Sequence, residues 1–120
     1  MIELEYSRDS GRRAYRHEIT EADGFRLTVS GQVCDAVNLS ENGVAYRVQG
    51  ELQEELQPAM LEFELDGVAM SICCNLQRVR TLDGIHCCEF TAMSDRQHII
   101  LSRFVMQCQK AYIRRQSLKG

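Results

Sequence analysis

A chain of 120 residues, 44% hydrophobic and 26% charged, has room for one domain around one core, because domains commonly run about 100 to 150 residues. Eight glycines and one proline exclude collagen-like and low-complexity polymers, and the apolar content excludes intrinsic disorder. The net charge of -3 conceals a gradient, since residues 17–95 hold four Arg against fourteen acids while residues 96–120 hold six cations and no acid.

No apolar window approaches the roughly 18 residues of a membrane-crossing helix. The opening MIELEYSRDS lacks the basic-then-apolar layout of a secretory leader. Both observations predict a cytoplasmic protein without membrane insertion, in which the six cysteines serve as small buried hydrophobes rather than disulfide partners.

The first sixteen residues show no clean periodicity, and residues 1–24 are predicted to form a flexible arm ahead of the barrel. Within it Arg12-Arg13-Ala14-Tyr15-Arg16 places Arg12 and Arg16 four residues apart, so that one helical turn or tight bend brings both guanidinium groups to one side. Such a pair can grip a phosphate or the Hoogsteen edge of guanine; a solvated basic stretch gives the same spacing.

From residue 25 to 92 the punctuation is that of an antiparallel β meander. FRLTV (25–29) meets QVCDAV (32–37) across Ser30-Gly31. Asn38-Leu39-Ser40-Glu41-Asn42-Gly43 then interrupts the pattern with short hydrogen-bonding side chains, and Asn42-Gly43 suits a left-handed turn. AYRV (45–48) is predicted as a strand and 50–58 as a loop. MLEFEL (60–65) alternates apolar and acidic residues and meets VAMSICCNLQRV (68–79) across Asp66-Gly67, a type I′ hairpin dipeptide. Asp83-Gly84 repeats that signal before IHCCEF (85–90). One face of such strands packs while the other is wet, and closure into a barrel avoids long open edges.

A helix is predicted over 94–118. Ser94 and Gln97 form a capping box with Asp95 in the first turn. Ile100, Leu101, Phe104, Val105, Cys108, Ala111 and Tyr112 recur at helical spacing as the stripe that lies on the barrel.

An RxxxR arm (Arg12, Arg16), followed after a strand pair by a [D/N]xSxxG loop (Asn38, Ser40, Gly43), resembles the signature of the PilZ domain family, and the meander with its capped C-terminal helix extends the resemblance over nearly the whole chain. The resemblance implies a mainly β fold, a six-stranded antiparallel β-barrel with a C-terminal helix, which binds cyclic di-GMP. It assigns Arg12 and Arg16 to phosphates and guanine edges, Asn38 and Ser40 to hydrogen bonds with a guanine, and Gly43 to a backbone turn beneath the base. Arg13 is a further phosphate partner beyond the motif. Asn38 stands where Asp is common, which keeps the acceptor but loses its charge.

On this basis the chain is expected to be a stand-alone receptor whose arm folds onto the barrel with the ligand and which signals to an effector protein in motility, adhesion or biofilm control. A PilZ-like interaction or pilus-assembly protein that binds no nucleotide is the alternative. Nucleic-acid binding through the basic tail is a third reading, which predicts affinity that falls steeply with salt and ignores Arg16.

Arg78 and Arg80, alternating with Val79, are predicted to share a strand face where a guanidinium can stack on guanine, or simply be solvated. If Asp83-Gly84 is the hairpin turn, Cys87 faces Arg80 and Cys88 faces Val79. Cys73 and Cys74 then lie about 17 to 20 Å away at about 3.3 Å per residue, too far for a disulfide or a zinc site. His17, His86 and His98 accompany no nucleophile or HExxH pattern. No catalytic residue, metal site or cofactor is therefore predicted.

Overall fold

The computed structural model describes residues 16–48 and 54–119, with side chains through residue 117. Eight strands form one antiparallel sheet: β1 (His17–Glu18), β2 (Arg26–Val29), β3 (Gln32–Cys34), β4 (Ala36–Leu39), β5 (Gly43–Arg47), β6 (Leu56–Leu65), β7 (Val68–Leu82) and β8 (Ile85–Thr91). Their spatial order is β1-β4-β5-β8-β7-β6-β2-β3, and helix α1 (Asp95–Lys119) follows. The sheet curls as a half-barrel whose end strands, β1 and β3, do not pair with each other among the described residues.

Three of the hairpins among the described residues close through two-residue turns. Ser30-Gly31, Asp66-Gly67 and Asp83-Gly84 all place both turn residues at positive φ, between 51° and 82°, as a type I′ turn requires. The β6–β7 pair runs without interruption from Leu56 opposite Gln77 to Leu65 opposite Val68. On β6, Gln57, Ala59, Leu61, Phe63 and Leu65 face inward, while Glu64 and Pro58 face solvent.

The helix begins as its cap predicts. Ser94 Oγ accepts the Gln97 amide at 3.1 Å and Gln97 Oε1 accepts the Ser94 amide at 2.9 Å. Leu101, Phe104, Val105 and Cys108 are buried against the sheet, and Phe104 stacks on Phe63 with ring centroids 4.2 Å apart. Each fully buried large apolar side chain contributes about 1.5 to 3 kcal/mol, so this row holds the helix in place.

Several expectations need correction. Among the described residues there are eight strands rather than six: His17–Glu18 joins the sheet beside β4, and the 32–37 run breaks into β3 and β4 at Asp35. The sheet therefore starts at His17, inside the segment read as an arm, and a short 3-10 helix (Glu21–Asp23) follows it. The segment read as a loop through Pro58 is already strand from Leu56. Proline is accommodated because β2 ends beside it: the Pro58 carbonyl accepts the Ser30 amide at the turn, and on that side no ladder needs its missing N–H.

A bulge at Val79 puts Arg78 opposite Cys88 and Arg80 opposite Cys87, so Cys88 does not face Val79. The extra residue also sends Arg78 to the inner face and Arg80 to the outer one, separating two arginines that strict alternation would keep together. Each adjacent cysteine pair does split as alternation predicts, with Cys74 and Cys88 buried, Cys73 exposed and Cys87 between. Burial pushes the Cys74 and Cys88 thiols up to about 11.

Candidate functional site

Arg16, the last residue of the first motif, meets the second motif at the β1-β4-β5 end of the sheet. His17 pairs with Leu39 and Glu18 with Asn38, a register that, carried one residue outward, sets Arg16 opposite Ser40. Arg16 Nη1 donates to Asn38 Oδ1 at 3.0 Å. An arginine from the leading segment and the first polar residue of the strand-junction loop are thus in direct contact. Arg12 and Arg13 lie outside the described residues.

Asn38 owes its position to a second irregularity. β4 slips between Ala36, opposite Tyr46, and Asn38, opposite Ala45, with Val37 as the extra residue. After the slip Leu39 faces the core, fully buried, and Asn38 stays half-exposed with its amide nitrogen available beyond the arginine contact.

Ser40 is only 3% exposed. Its Oγ accepts the amides of Asn42 at 3.1 Å and Gly43 at 3.2 Å, and its own amide donates to the Gly43 carbonyl at 2.9 Å. The hydroxyl therefore fixes the loop first, and has its one hydrogen left to give. The loop is locked again from the sheet, where the Asn42 carbonyl accepts the Phe90 amide at 2.9 Å.

Gly43 plays a different part from the one its motif position suggested. It does not adopt a left-handed φ; it sits in β5 opposite Glu89, and a Cβ built on it would stand 2.2 Å from the Cys88 carbonyl oxygen. The residue is glycine because another backbone passes there, which brings β8 against the loop.

Behind the contact lies a buried polar knot. His17 Nε2 and Asp23 Oδ2 are 2.9 Å apart, with both side chains 2% exposed. Asp23 Oδ2 also accepts the Thr20 amide at 2.8 Å, closing a capping box on the short 3-10 helix, whose end turns through Gly24 at φ 65°. From α1, Cys108 adds its thiol: burial first, then the negative charge and hydrogen bonding of Asp23, push it up to about 12, so it stays protonated. The three donor atoms lie within 4.8 Å of one another, close enough to surround a metal ion, yet the Asp23 oxygen here is engaged in hydrogen bonds. The knot ties the segment bearing Arg16 to the helix.

Helical spacing puts Tyr112 in the stripe that packs on the sheet. It is instead 44% exposed, meets the His17 ring edge-on at 6.5 Å, and with Arg16, His17 and Glu18 lines an open cleft of about 230 Å³. No sequence signal separated it from the core stripe, because helical spacing alone does not show where a sheet ends beneath a helix. Arg78, on the inner face, lowers His86 after burial does so first, and His86 Nδ1 lies 2.6 Å from Thr81 Oγ1. That group is separate from the Arg16 contact in the sheet order, across β5 and β8.

Comparison with solved structures agrees with the architecture. The chain is similar to an uncharacterized Legionella protein, Lpg0364, with a TM-score of 0.64 at 14% identity over 82% of this chain and 97% of that one. It is also similar to the PilZ domain of CeSA from a cellulose-synthesizing bacterium, with a TM-score of 0.56 at 16% identity over 80% of this chain and 99% of that one. No family model and no curated protein matches the sequence. The fold is PilZ-like: a mainly β, antiparallel barrel-type sheet with a C-terminal helix. Among the described residues no helix is long and apolar enough to cross a membrane.

Proposed function

We propose that the protein is a cyclic di-GMP receptor that works as an adaptor, binding the nucleotide at the β1-β4-β5 end of the sheet and passing the signal on by protein contact. The observation that carries this is the 3.0 Å hydrogen bond between Arg16 and Asn38, which joins the two motifs of the PilZ signature at one place on a PilZ-like fold.

The chemistry suits such a ligand. A cyclic dinucleotide brings two phosphate charges and two flat bases, so its site needs guanidinium forks, directional polar groups and a stacking surface. Arg16, with Arg12 and Arg13 preceding it in sequence, supplies the first; the Asn38 amide and the Ser40 hydrogen supply the second; the open face of Tyr112 supplies the third. On binding, Arg16 leaves Asn38 for a phosphate or guanine edge, and the Asn38 oxygen becomes free for a guanine donor. The protein carries out no catalytic step in this role, and six reduced thiols suit the cytoplasm.

Isothermal titration with cyclic di-GMP tests the proposal. Saturable binding that Arg16→Ala weakens at least about tenfold is expected, since a charge-assisted contact contributes about 1.5 to 3 kcal/mol. Absence of binding by the unmodified protein would leave the nucleotide-free interaction protein as the better description. Equal affinity in the Arg16→Ala variant would move the ligand to another site.

A further inference from the structure

The outer face of α1 carries a pattern that neither the core nor the nucleotide site uses. Ile99, Met106 and Ile113 recur every seven residues and are 57%, 50% and 55% exposed. Arg96, Arg103 and Lys110 recur at the same interval, three residues before them, and are exposed as well. At about 100° per residue this double row lies half a turn from the buried Leu101, Phe104, Val105 and Cys108, directly away from the sheet. From Arg96 to Ile113 it is about 25 Å long at 1.5 Å per residue. No acid follows Asp95 in the chain.

We propose that this row is the docking site for an acidic amphipathic helix of a partner protein. A seven-residue repeat of alternating three- and four-residue steps is the geometry of helix-on-helix packing, in which a second helix lies along the seam and sets its side chains between those of the first. Beside Met106 a small hollow of about 120 Å³, lined by Glu41, Ser102, Val105, Met106 and Gln109, takes one aliphatic side chain of such a partner. The cations fix its charge: acids every seventh residue in the partner meet Arg96, Arg103 and Lys110, while its apolar row covers Ile99, Met106 and Ile113.

Two other occupants fit less well. A second copy would bring six cations onto one seam with no acid from either helix beyond Asp95. An anionic bilayer calls for a broad apolar face, whereas this apolar row is one side chain wide between cations and the polar Ser102 and Gln109. Glu41, which borders the hollow, belongs to the Asn38–Gly43 loop, so a docked helix would touch the segment proposed to hold a guanine.

The docking surface lies on α1 with only Glu41 bordering it from the sheet, and it is tested without nucleotide, so its failure and that of the receptor reading are distinguishable. A labelled three-heptad helical peptide, with Glu and Leu at the positions facing the cations and the apolar row, is titrated into the full chain and followed by anisotropy. A matching peptide with Lys in place of Glu, and vesicles of equal parts phosphatidylglycerol and phosphatidylcholine, are titrated in parallel. Saturable binding of the Glu peptide is expected, weakened by salt and by at least about tenfold in both Met106→Glu and the Arg103→Glu, Lys110→Glu variant. These positions are exposed, and an unchanged circular dichroism melt verifies that the fold is kept. Equal binding of the Lys peptide, indifference to the substitutions, stronger binding to vesicles, or a dimer of the free protein in sedimentation would each overturn the proposal.

Discussion

The β2-β3-β6-β7 half of the sheet and the β1-β4-β5-β8 half differ in how regularly they pair. In the first, β6 and β7 keep ten successive partners in register and β2 continues the ladder on β6. In the second, β4 slips at Val37, and β7 slips at Val79 where it meets β8. Three of the four buried polar residues among those described, His17, Ser40 and His86, lie in the irregular half. Strict alternation makes a stable wall, but it offers every residue only the core or the solvent. A bulge presents a polar side chain at the margin between them, and the candidate site occupies such a margin.

Paired glycines test that contrast most strongly. Gly67 has open space around its missing Cβ, so Gly67→Ala meets only the strain of φ 81°, about 1 kcal/mol. Gly43→Ala drives a methyl into the Cys88 carbonyl and is expected to cost about 3 kcal/mol, with loss of cyclic di-GMP binding, because backbone rather than a flexible side chain must move. Urea denaturation of both variants gives the comparison; similar midpoints would show that the close approach of β8 to the loop has no structural weight.

Next comes the polar knot. Asp23→Ala removes the acceptor of His17 and of the Thr20 amide and is expected to cost about 2 kcal/mol. Ser30→Ala, in the regular half, removes only a half-exposed hydroxyl bond to Gln57 and should cost less than about 1 kcal/mol. If the knot positions Arg16, Asp23→Ala also weakens nucleotide binding while the protein remains folded, and Ser30→Ala does not.

The smallest effect is with pH. Burial, and then Arg78, hold His86 below its usual value of 6.5, so the unfolded chain takes up a proton more readily than the folded one. The stability this histidine supports is complete above about pH 6.5 and declines as the pH falls toward its depressed folded value. His86→Phe should flatten that part of the denaturation curve between neutral and mildly acidic pH. An identical slope in the variant would assign the acid sensitivity elsewhere.

Much of this was readable from residues alone, because local signals act on local backbone. Asp66-Gly67 and Asp83-Gly84 specify turns through their own φ preferences, and Ser94 with Gln97 starts the helix through bonds within one turn. Asn38, Ser40 and Gly43 stood out as a group through their resemblance to the PilZ signature. The bulges did not, since Val37 and Val79 are ordinary strand residues and only their partners decide which is skipped. The reason for Gly43 was also hidden: its neighbour, Cys88, is 45 positions away along the chain.

The order of residues thus settled where the chain turns, which strand faces are apolar, where the helix starts, and that its last 25 residues hold six cations and no acid. Contact between distant segments settled the rest: that Arg16 reaches Asn38, that His17 and Asp23 are buried together, and that Arg78 and Arg80 part company. The division follows from range. Turn and cap energies depend on a few neighbouring dihedrals, whereas burial and close backbone approach depend on what the folded chain places across the gap.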